Sequence, residues 1–288
     1  MAPNFLTGVL MPVALAVIMF GLGLSLTGAD FRRVVLYPRA VVVGLTCQTL
    51  ILPAAALLIA QAFELPAELA VGLMLLAASP GGATANLFSH LAHGDVALNV
   101  TLTAVNSLLS LVTLPIIVGF SMAHFMGEGR EIPVQFSKVI EVCVIILVPI
   151  FLGMGVRRRN PDLATRLDKP VRSLSAFFLL LVIVAAVAKE RANLPTYFQQ
   201  VGLAALAFNL LSMAVGYVVP RLARLPEKQA VAISMEIGIH NGTLAITIAG
   251  TVLANSVMTI PAAVYSLIMF VTAGLFAIRA KNSLVAQA

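Results

Sequence analysis

Charged residues are scarce in this chain of 288 residues: only 10% are Asp, Glu, Lys or Arg, and 60% are hydrophobic. This composition excludes an ordinary soluble domain, in which about a quarter of the residues are charged, and it indicates a polytopic membrane protein. The 2 cysteines, Cys47 and Cys143, lie inside apolar runs, so no disulfide framework is predicted. The net charge of +6 does not indicate nucleic acid, because the basic residues lie in short loops between apolar runs.

Apolar runs long enough for a membrane span, which takes about 20 helical residues, occur nine times. They lie near residues 5–27, 40–61, 69–91, 96–125, 137–155, 173–188, 200–219, 229–253 and 261–278. We interpret the first run as a span rather than a cleaved signal peptide, because no Lys or Arg precedes it. With the N-terminus outside, only Arg130, Lys138, Lys189 and Arg191 of the 18 Lys and Arg lie outside. The positive-inside rule therefore predicts an external N-terminus and a cytoplasmic C-terminus.

One carboxylate, Glu236, lies deep inside an apolar run. A carboxylate near a bilayer centre costs about 3 kcal/mol on insertion scales, so it normally faces a partner or a water-filled cavity. Gly238, Asn241 and Gly242 follow closely and favour an unwound helix. The carbonyl groups freed by unwinding, together with the carboxylate, would suit a small hard cation. The alternative is a carboxyl group hydrogen-bonded to a neighbouring helix for packing.

An internal repeat is indicated by two similar loops, Leu65-Pro66 before the third run and Leu225-Pro226 before the eighth, which are 160 residues apart. The same shift places Gly82 on Gly242 and pairs runs one to four with runs six to nine. Paired runs cross the membrane in opposite senses, which predicts an inverted repeat. Its halves are about 1–126, with four helices, and 137–288, with five, as if a first helix were missing from a single domain spanning 1–288. The alternative is chance similarity of two Leu-Pro loops.

The third run carries Pro80, Gly81 and Gly82 near its middle and should break there. Two broken helices at matching places in two halves are the best sequence indication of a transporter's binding site. In the fourth run, oxygen-bearing side chains recur at helical spacing on one face: Asn99, Thr103 and Asn106. They can face the two breaks. The alternative is ordinary hydrogen bonding between helices, which we favour for Asn106.

Two further polar residues lie within apolar runs. Gln48 is the lone amide of the second run, and cation binding and hydrogen bonding between helices are both open for it. His240 follows Glu236 by four residues, which on a continuous helix would place both on one face. Cation ligand, proton carrier and polar packing residue remain open for His240.

The segments Pro80-Gly81-Gly82-Ala83-Thr84-Ala85-Asn86, His93-Gly94-Asp95-Val96-Ala97-Leu98-Asn99 and Glu236-Ile237-Gly238-Ile239-His240-Asn241 resemble the bile acid:sodium symporter family. The resemblance covers nearly the whole chain from Met19 onward. It implies an all-α polytopic membrane protein of the nine-helix form, in which two broken, crossing helices belong to a core domain that faces a panel domain.

The same resemblance implies two sodium sites. The first would use Asn86, Asn99, Thr103 and Glu236, with Ala85 where relatives often have serine. The second would use Gln48, His240 and the backbone carbonyl groups of Glu236, Ile237 and Ile239. Relatives usually have glutamine at the His240 position, so a proton on His240 is the alternative to the second ion. Met269 and Phe270 stand where some bile-acid-binding relatives carry polar residues, which weighs against bile acid itself.

The function that we expect is sodium-coupled uptake of an organic anion by alternating access, in a monomer of the bacterial inner membrane. The anion would be bile-acid-like or a small hydroxy or keto acid such as pantoate. It would meet Thr84, Asn241 and the half-helix N-termini at Gly82 and beyond, whose amide dipoles favour a carboxylate. The alternatives are a proton-coupled or passive transporter, a sensor on the same fold, and an intramembrane hydrolase using Glu236 and His240. The hydrolase lacks a nucleophile elbow or a zinc-protease motif.

Overall fold

The computed structural model describes residues 11–127, 136–189 and 194–286. The start of the apolar run near 5–27 and the predicted external residues Arg130 and Arg191 lie outside the described residues. In chain order the helices are α1 (Met11–Ser25), α2 (Gly28–Leu36), α3 (Pro38–Thr46), α4 (Leu52–Ala62), α5 (Ala67–Ala78), α6 (Ala83–Leu91), α7 (Val96–Met126), α8 (Phe136–Arg159), α9 (Pro161–Lys189), α10 (Leu194–Leu222), α11 (Glu227–Gly238), α12 (Gly242–Thr247) and α13 (Ile260–Ala286).

The described ranges are helical and contain no strand. Among them, 4 helical stretches are long and apolar enough to cross a membrane: Pro38–Ala62, Val96–Met126, Phe198–Leu222 and Val257–Asn282. They coincide with the second, fourth, seventh and ninth predicted runs. The third and eighth runs are divided by their breaks, which leaves shorter apolar helices at Ala67–Ala78 and Gly242–Val252. The total of nine spans stays a prediction.

Two segments expected to be loops are helical. Helix α9 begins at Pro161, well before the predicted run at 173–188. The side-chain oxygen of Asn160 accepts the N–H of Leu163, and proline occupies the first helical position. Both features start a helix, so the charged segment after Asn160 continues into the span. Likewise α2 occupies much of the basic segment that follows the first run.

A π-helical turn at Cys47–Ile51 joins α3 to α4. In this turn the N–H of Leu52 donates to the carbonyl of Cys47. Pro53 follows, and a proline has no N–H and crowds the carbonyl four residues before it, which accounts for the widened turn. Gln48 lies in this turn and is buried, with 3% of its surface exposed.

The two Leu-Pro loops have the same backbone geometry 160 residues apart. Glu64 and Arg224 adopt positive φ angles of 48° and 55°, and the next N–H groups, of Leu65 and Leu225, reach back to the carbonyls of Ala60 and Pro220 at 2.9 Å each. These are the helix-ending hydrogen bonds of a left-handed C-terminal cap. Helices α5 and α11 begin two residues after the leucines.

The segments that lead into α7 and α13 also correspond under the 160-residue shift. The side chains of Asp95 and Asn255 accept the N–H groups of Leu98 and Met258, three residues on in each case. Asp95 donates its N–H to the carbonyl of Lys228, at 2.9 Å, near the start of α11. Asn255 donates its side-chain amide to Glu68, at 2.8 Å, near the start of α5. The 160-residue shift relates Asp95 to Asn255 and Glu68 to Lys228, so each contact joins one half of the chain to the other and the two contacts are equivalent.

The helices pack in two groups. Helix α1 packs against α8 and α9, whereas α5, α7, α10, α11 and α13 pack against one another. Helix α12 also contacts α1 and α9. The two breaks lie within the second group.

Candidate functional site

The breaks between α5 and α6 and between α11 and α12 contact each other directly. The N–H of Gly82 donates to the carbonyl of Ile239 at 2.7 Å, and the N–H of Asn241 donates to the carbonyl of Pro80 at 2.9 Å. Gly81 lies opposite His240 in this short antiparallel pairing. The predicted breaks thus occur, and the two unwound segments cross.

Crossing removes helical hydrogen bonds from the end of α11. In a continued helix the N–H of Asn241 would donate to the carbonyl of Ile237, but it donates to Pro80 instead. The carbonyl of Ile237 therefore loses its helical donor. The N–H of Gly242 is diverted in the same way to the carbonyl of His240, at 3.0 Å. The carbonyl of Ile237 is thus released in a segment that is fully buried, as expected for an unwound helix.

Glu236 is fully buried, with 0% of its surface exposed. Its Oε2 accepts a hydrogen bond from the hydroxyl of Thr103 at 2.6 Å, and its Oε1 lies 3.5 Å from the side-chain amide of Asn106. Gly81 lies directly beside the carboxylate, since a Cβ added at Gly81 would overlap it. The two side-chain donors are neutral. They reduce the cost of burying the carboxylate, but among the described residues no positively charged side chain is paired with it.

Four buried amide oxygens lack a hydrogen-bond partner within the described residues: those of Gln48, Asn86, Asn99 and Asn106. In two cases the amide nitrogen is held by a backbone carbonyl, which orients the oxygen. The nitrogen of Asn99 donates to Ala232 at 2.7 Å, and that of Gln48 donates to Ser79 at 2.9 Å. A buried carboxylate beside the Asn106 amide, whose oxygen is unpartnered in the described residues, suits a hard cation such as Na⁺, which binds oxygen ligands.

Ala85 and Asn106 differ in the groups that they could offer to a cation at the predicted first site. Ala85 is fully buried, with no side-chain donor, and its N–H bonds to the carbonyl of Gly82. Asn106, for which hydrogen bonding between helices was favoured, lies against Glu236. It therefore joins Asn99 and Thr103 on the face of α7 that meets α11.

His240 lies in the unwound segment rather than on a helix continuous with Glu236. Its ring stacks on Phe208, with centroids 5.5 Å apart and planes 6° apart, and contacts Tyr265 at 5.4 Å. Nδ1 is 3.3 Å from the carbonyl of Ser79, which only accepts, so this nitrogen carries the hydrogen. Nε2 is buried without a partner in the described residues.

The residues predicted to meet an anion lie on both sides of the crossing. Thr84 is half-buried in the first turn of α6, and Asn241 uses its side-chain oxygen to cap α12 through the N–H of Leu244. Phe270 stacks on Phe88 of α6, with centroids 6.0 Å apart. Met269 is 2% exposed and packs into the core. The Asn241 oxygen is therefore occupied, and its amide nitrogen is the group left to face a ligand.

Sequence reasoning did not identify several residues that shape the crossing: Gly81 as the contact of Glu236, Phe208 and Tyr265 around His240, and Asn209, whose amide donates to the carbonyl of Gly238 at 3.1 Å. The internal repeat contained a signal for Asn209, because the 160-residue shift aligns it with Thr49, the neighbour of Gln48 in the first half.

Comparison with known proteins gives a consistent result. Residues 12–196 match the family described as the Sodium Bile acid symporter family. The chain is 29% identical over 258 residues to the Uncharacterized sodium-dependent transporter YocS of Bacillus subtilis (strain 168), covering 88% of this chain and 77% of that protein. It is 25% identical over 269 residues to the human Ileal sodium/bile acid cotransporter, covering 92% and 76%.

A plant relative is the Probable sodium/metabolite cotransporter BASS2, chloroplastic, of Oryza sativa subsp. japonica. It is 26% identical over 256 residues, which are 88% of this chain and 60% of the plant protein. The chain therefore spans about three fifths of that relative's length.

Proposed function

Because the chain belongs to the Sodium Bile acid symporter family, a family of sodium-dependent membrane transporters, we propose that it couples sodium entry to the uptake of an organic anion. Members of this family are transporters, and the chain is not an enzyme. The observation that carries the proposal is Glu236, a fully buried carboxylate whose donors in the described residues are the neutral side chains of Thr103 and Asn106.

The first sodium site consists of Asn86, Asn99, Thr103 and Glu236, with Asn106 beside the carboxylate. Na⁺ supplies there the positive charge that the neutral donors of Glu236 lack. The second site consists of Gln48, His240 and the carbonyl groups of Glu236, Ile237 and Ile239. Two observations support this second site. The side-chain oxygen of Gln48 has no partner in the described residues, and the carbonyl of Ile237 has lost its helical donor, the N–H of Asn241, to Pro80.

The anion binds where the unwound segments face the group formed by α1, α8 and α9. The first turn of α6 offers backbone N–H groups and the hydroxyl of the half-buried Thr84, and the dipole of α6 favours a carboxylate at this end. The amide nitrogen of Asn241 is a further donor. The stacked Phe88 and Phe270 form an apolar contact one helical turn from Thr84, which suits a carboxylate attached to an apolar body.

The division of the helices into two groups supports transport by alternating access. The panel domain consists of α1, α8 and α9, and the remaining helices form the core domain, which carries both breaks. The matching caps and the exchanged contacts 160 residues apart support an inverted repeat with nine spans. We place the protein as a monomer in a bacterial inner membrane, with the N-terminus outside.

Purified protein tests this function by thermal unfolding. Sodium chloride should raise the melting temperature relative to potassium chloride at equal ionic strength, because a ligand that binds only the folded state stabilises it by RT ln(1 + [L]/Kd). When organic anions are added one at a time, the substrate should raise the melting temperature further, and only in the presence of sodium. Proteoliposomes should then exchange the labelled substrate by counterflow.

The outcomes separate the alternatives. A sensor would be stabilised by ligand but would not exchange it. Stabilisation and counterflow that are equal in sodium and potassium would contradict sodium coupling and favour the proton-coupled or passive alternative.

Labelling of single cysteines tests the orientation. After replacement of Cys47 and Cys143 by serine, a cysteine at Asn4 should react with an impermeant maleimide from outside the cell, and one at Asn282 only after permeabilisation. The reason is that the predicted cytoplasmic loops carry all but four of the 18 Lys and Arg. Equal reactivity of the two positions from one side would mean an even number of spans and would contradict nine.

A further inference from the structure

The carbonyl of Gly238, at the end of α11, loses its helical donor and is held by two side chains instead. In a continued helix the carbonyl of Gly238 would accept the N–H of Gly242, which donates to His240 instead. The side-chain amide of Asn209 donates to the Gly238 carbonyl at 3.1 Å, and the hydroxyl of Tyr265 donates to it at 2.9 Å. Two side chains therefore replace one lost helical donor.

The orientation of Asn209 is determined by a third side chain. The hydroxyl of Thr272 donates to the side-chain oxygen of Asn209 at 2.6 Å, so Asn209 must present its NH₂ group to Gly238. Asn209 and Tyr265 are both 0% exposed. At such burial bulk water does not reach the Gly238 carbonyl, so we expect this carbonyl to depend on the two side-chain donors.

The first break has a related arrangement with one chemical difference. Gln48 donates its NH₂ group to the carbonyls of Ala77 and Ser79, at 3.1 Å and 2.9 Å, at the end of α5. Its oxygen is unpartnered in the described residues, whereas the oxygen of Asn209 is occupied by Thr272. Gln48 can therefore hold the helix end and also offer an oxygen to a ligand. Asn209 can only hold the helix end.

We propose that Asn209 and Tyr265, oriented by Thr272, are positioning residues that keep α11 broken in the geometry that binds the cation. The set is named here the Gly238 clamp. Without it, the N–H of Gly242 can return to the Gly238 carbonyl, and rewinding would return the N–H of Asn241 to the carbonyl of Ile237. A cation would then have to displace that donor in order to bind. This inference rests on the proposed sodium site and identifies residues that act on it without touching the ion.

The test is the sodium dependence of thermal unfolding and of uptake in three single variants. Tyr265→Phe removes one donor and keeps the ring that contacts His240, and Thr272→Val releases the orientation of Asn209. The matched control is Tyr217→Phe, because the Tyr217 hydroxyl also bonds to α11, at Glu227, 3.2 Å away and at the opposite end of that helix.

Tyr265→Phe should raise the sodium concentration for half-maximal stabilisation about three- to tenfold, the factor that corresponds to one buried hydrogen bond. Thr272→Val should raise it by a smaller factor in the same direction. The maximal uptake rate at saturating sodium should stay at the wild-type value, because bound sodium itself favours the broken geometry. Tyr217→Phe should leave the sodium midpoint unchanged, although it also removes a hydrogen bond to α11.

A purely structural role would lower the sodium-free melting temperature of Tyr265→Phe and leave the sodium midpoint unchanged, which would overturn the inference. Equal shifts of the midpoint in Tyr265→Phe and Tyr217→Phe would also overturn it. In both cases the proposed function would still be supported if sodium stabilises the wild-type protein but does not stabilise Glu236→Gln. A wild-type protein without any sodium response would remove the proposed function and the clamp together.

Discussion

Glu236→Gln should abolish the sodium-dependent rise in melting temperature while leaving the sodium-free protein folded. The glutamine keeps the shape of the side chain and removes a buried negative charge whose donors in the described part of the chain are neutral. We expect sodium affinity to fall about 100-fold or more, which corresponds to about 2.7 kcal/mol. The sodium-free melting temperature should stay or rise, because burial of an uncompensated charge is unfavourable. Thermal unfolding over a sodium titration measures both quantities.

Glu68→Gln is the matched control. Glu68 lies in the first turn of α5 and bonds to Asn255 in the other half of the chain, so its loss should affect stability without affecting the sodium midpoint. Thr103→Val and Asn86→Ala should weaken sodium binding by smaller factors, about three- to thirtyfold, because each removes one neutral oxygen from several. A full sodium response in Glu236→Gln and in Glu236→Ala would remove Glu236 from the cation site.

Gly81→Ala should abolish sodium binding as completely as Glu236→Gln does and should also destabilise the sodium-free protein. A Cβ added at Gly81 would overlap the carboxylate of Glu236. The backbone cannot move aside easily, because Pro80 and Gly82 on either side are hydrogen-bonded to the other broken helix. We expect a loss of about 1–3 kcal/mol in the free energy of unfolding, as for other overpacked sites. Sodium-free and sodium-bound unfolding curves measure the two effects separately.

Gly274→Ala is the control for this substitution, because a Cβ there meets nothing within 4 Å. It should leave sodium binding unchanged and stabilise α13 slightly, since alanine is the better helix former. The double variant Gly81→Ala with Glu236→Asp shortens the carboxylate by one methylene and should recover part of the lost stability. Additive effects in this double-mutant cycle would mean that the two side chains do not compete for the same space.

Local chemistry in the sequence was enough to predict the class of the protein and the two breaks. Apolar residues must leave water wherever they lie in the chain, so the composition alone indicated a membrane protein. Pro80, Gly81 and Gly82 disfavour a helix through their own backbones, and the breaks occur at the predicted positions. Glu236 was identified because the cost of burying a carboxylate is a property of that one residue. The early start of α9 was also readable, since Asn160 and Pro161 form a local helix start.

Tertiary structure alone decided which side chains meet at the crossing and which of their atoms remain available. Asn99 and Asn106 share one face of α7, yet the amide of Asn99 bonds to Ala232 whereas that of Asn106 lies against Glu236. The oxygen of Asn241 is used by a helix cap, and the rings around His240 come from α10 and α13. These outcomes depend on how segments far apart in the chain approach one another. Helical periodicity specifies the face on which a residue lies, but the partner on that face and the atom that it occupies depend on the packing of other helices.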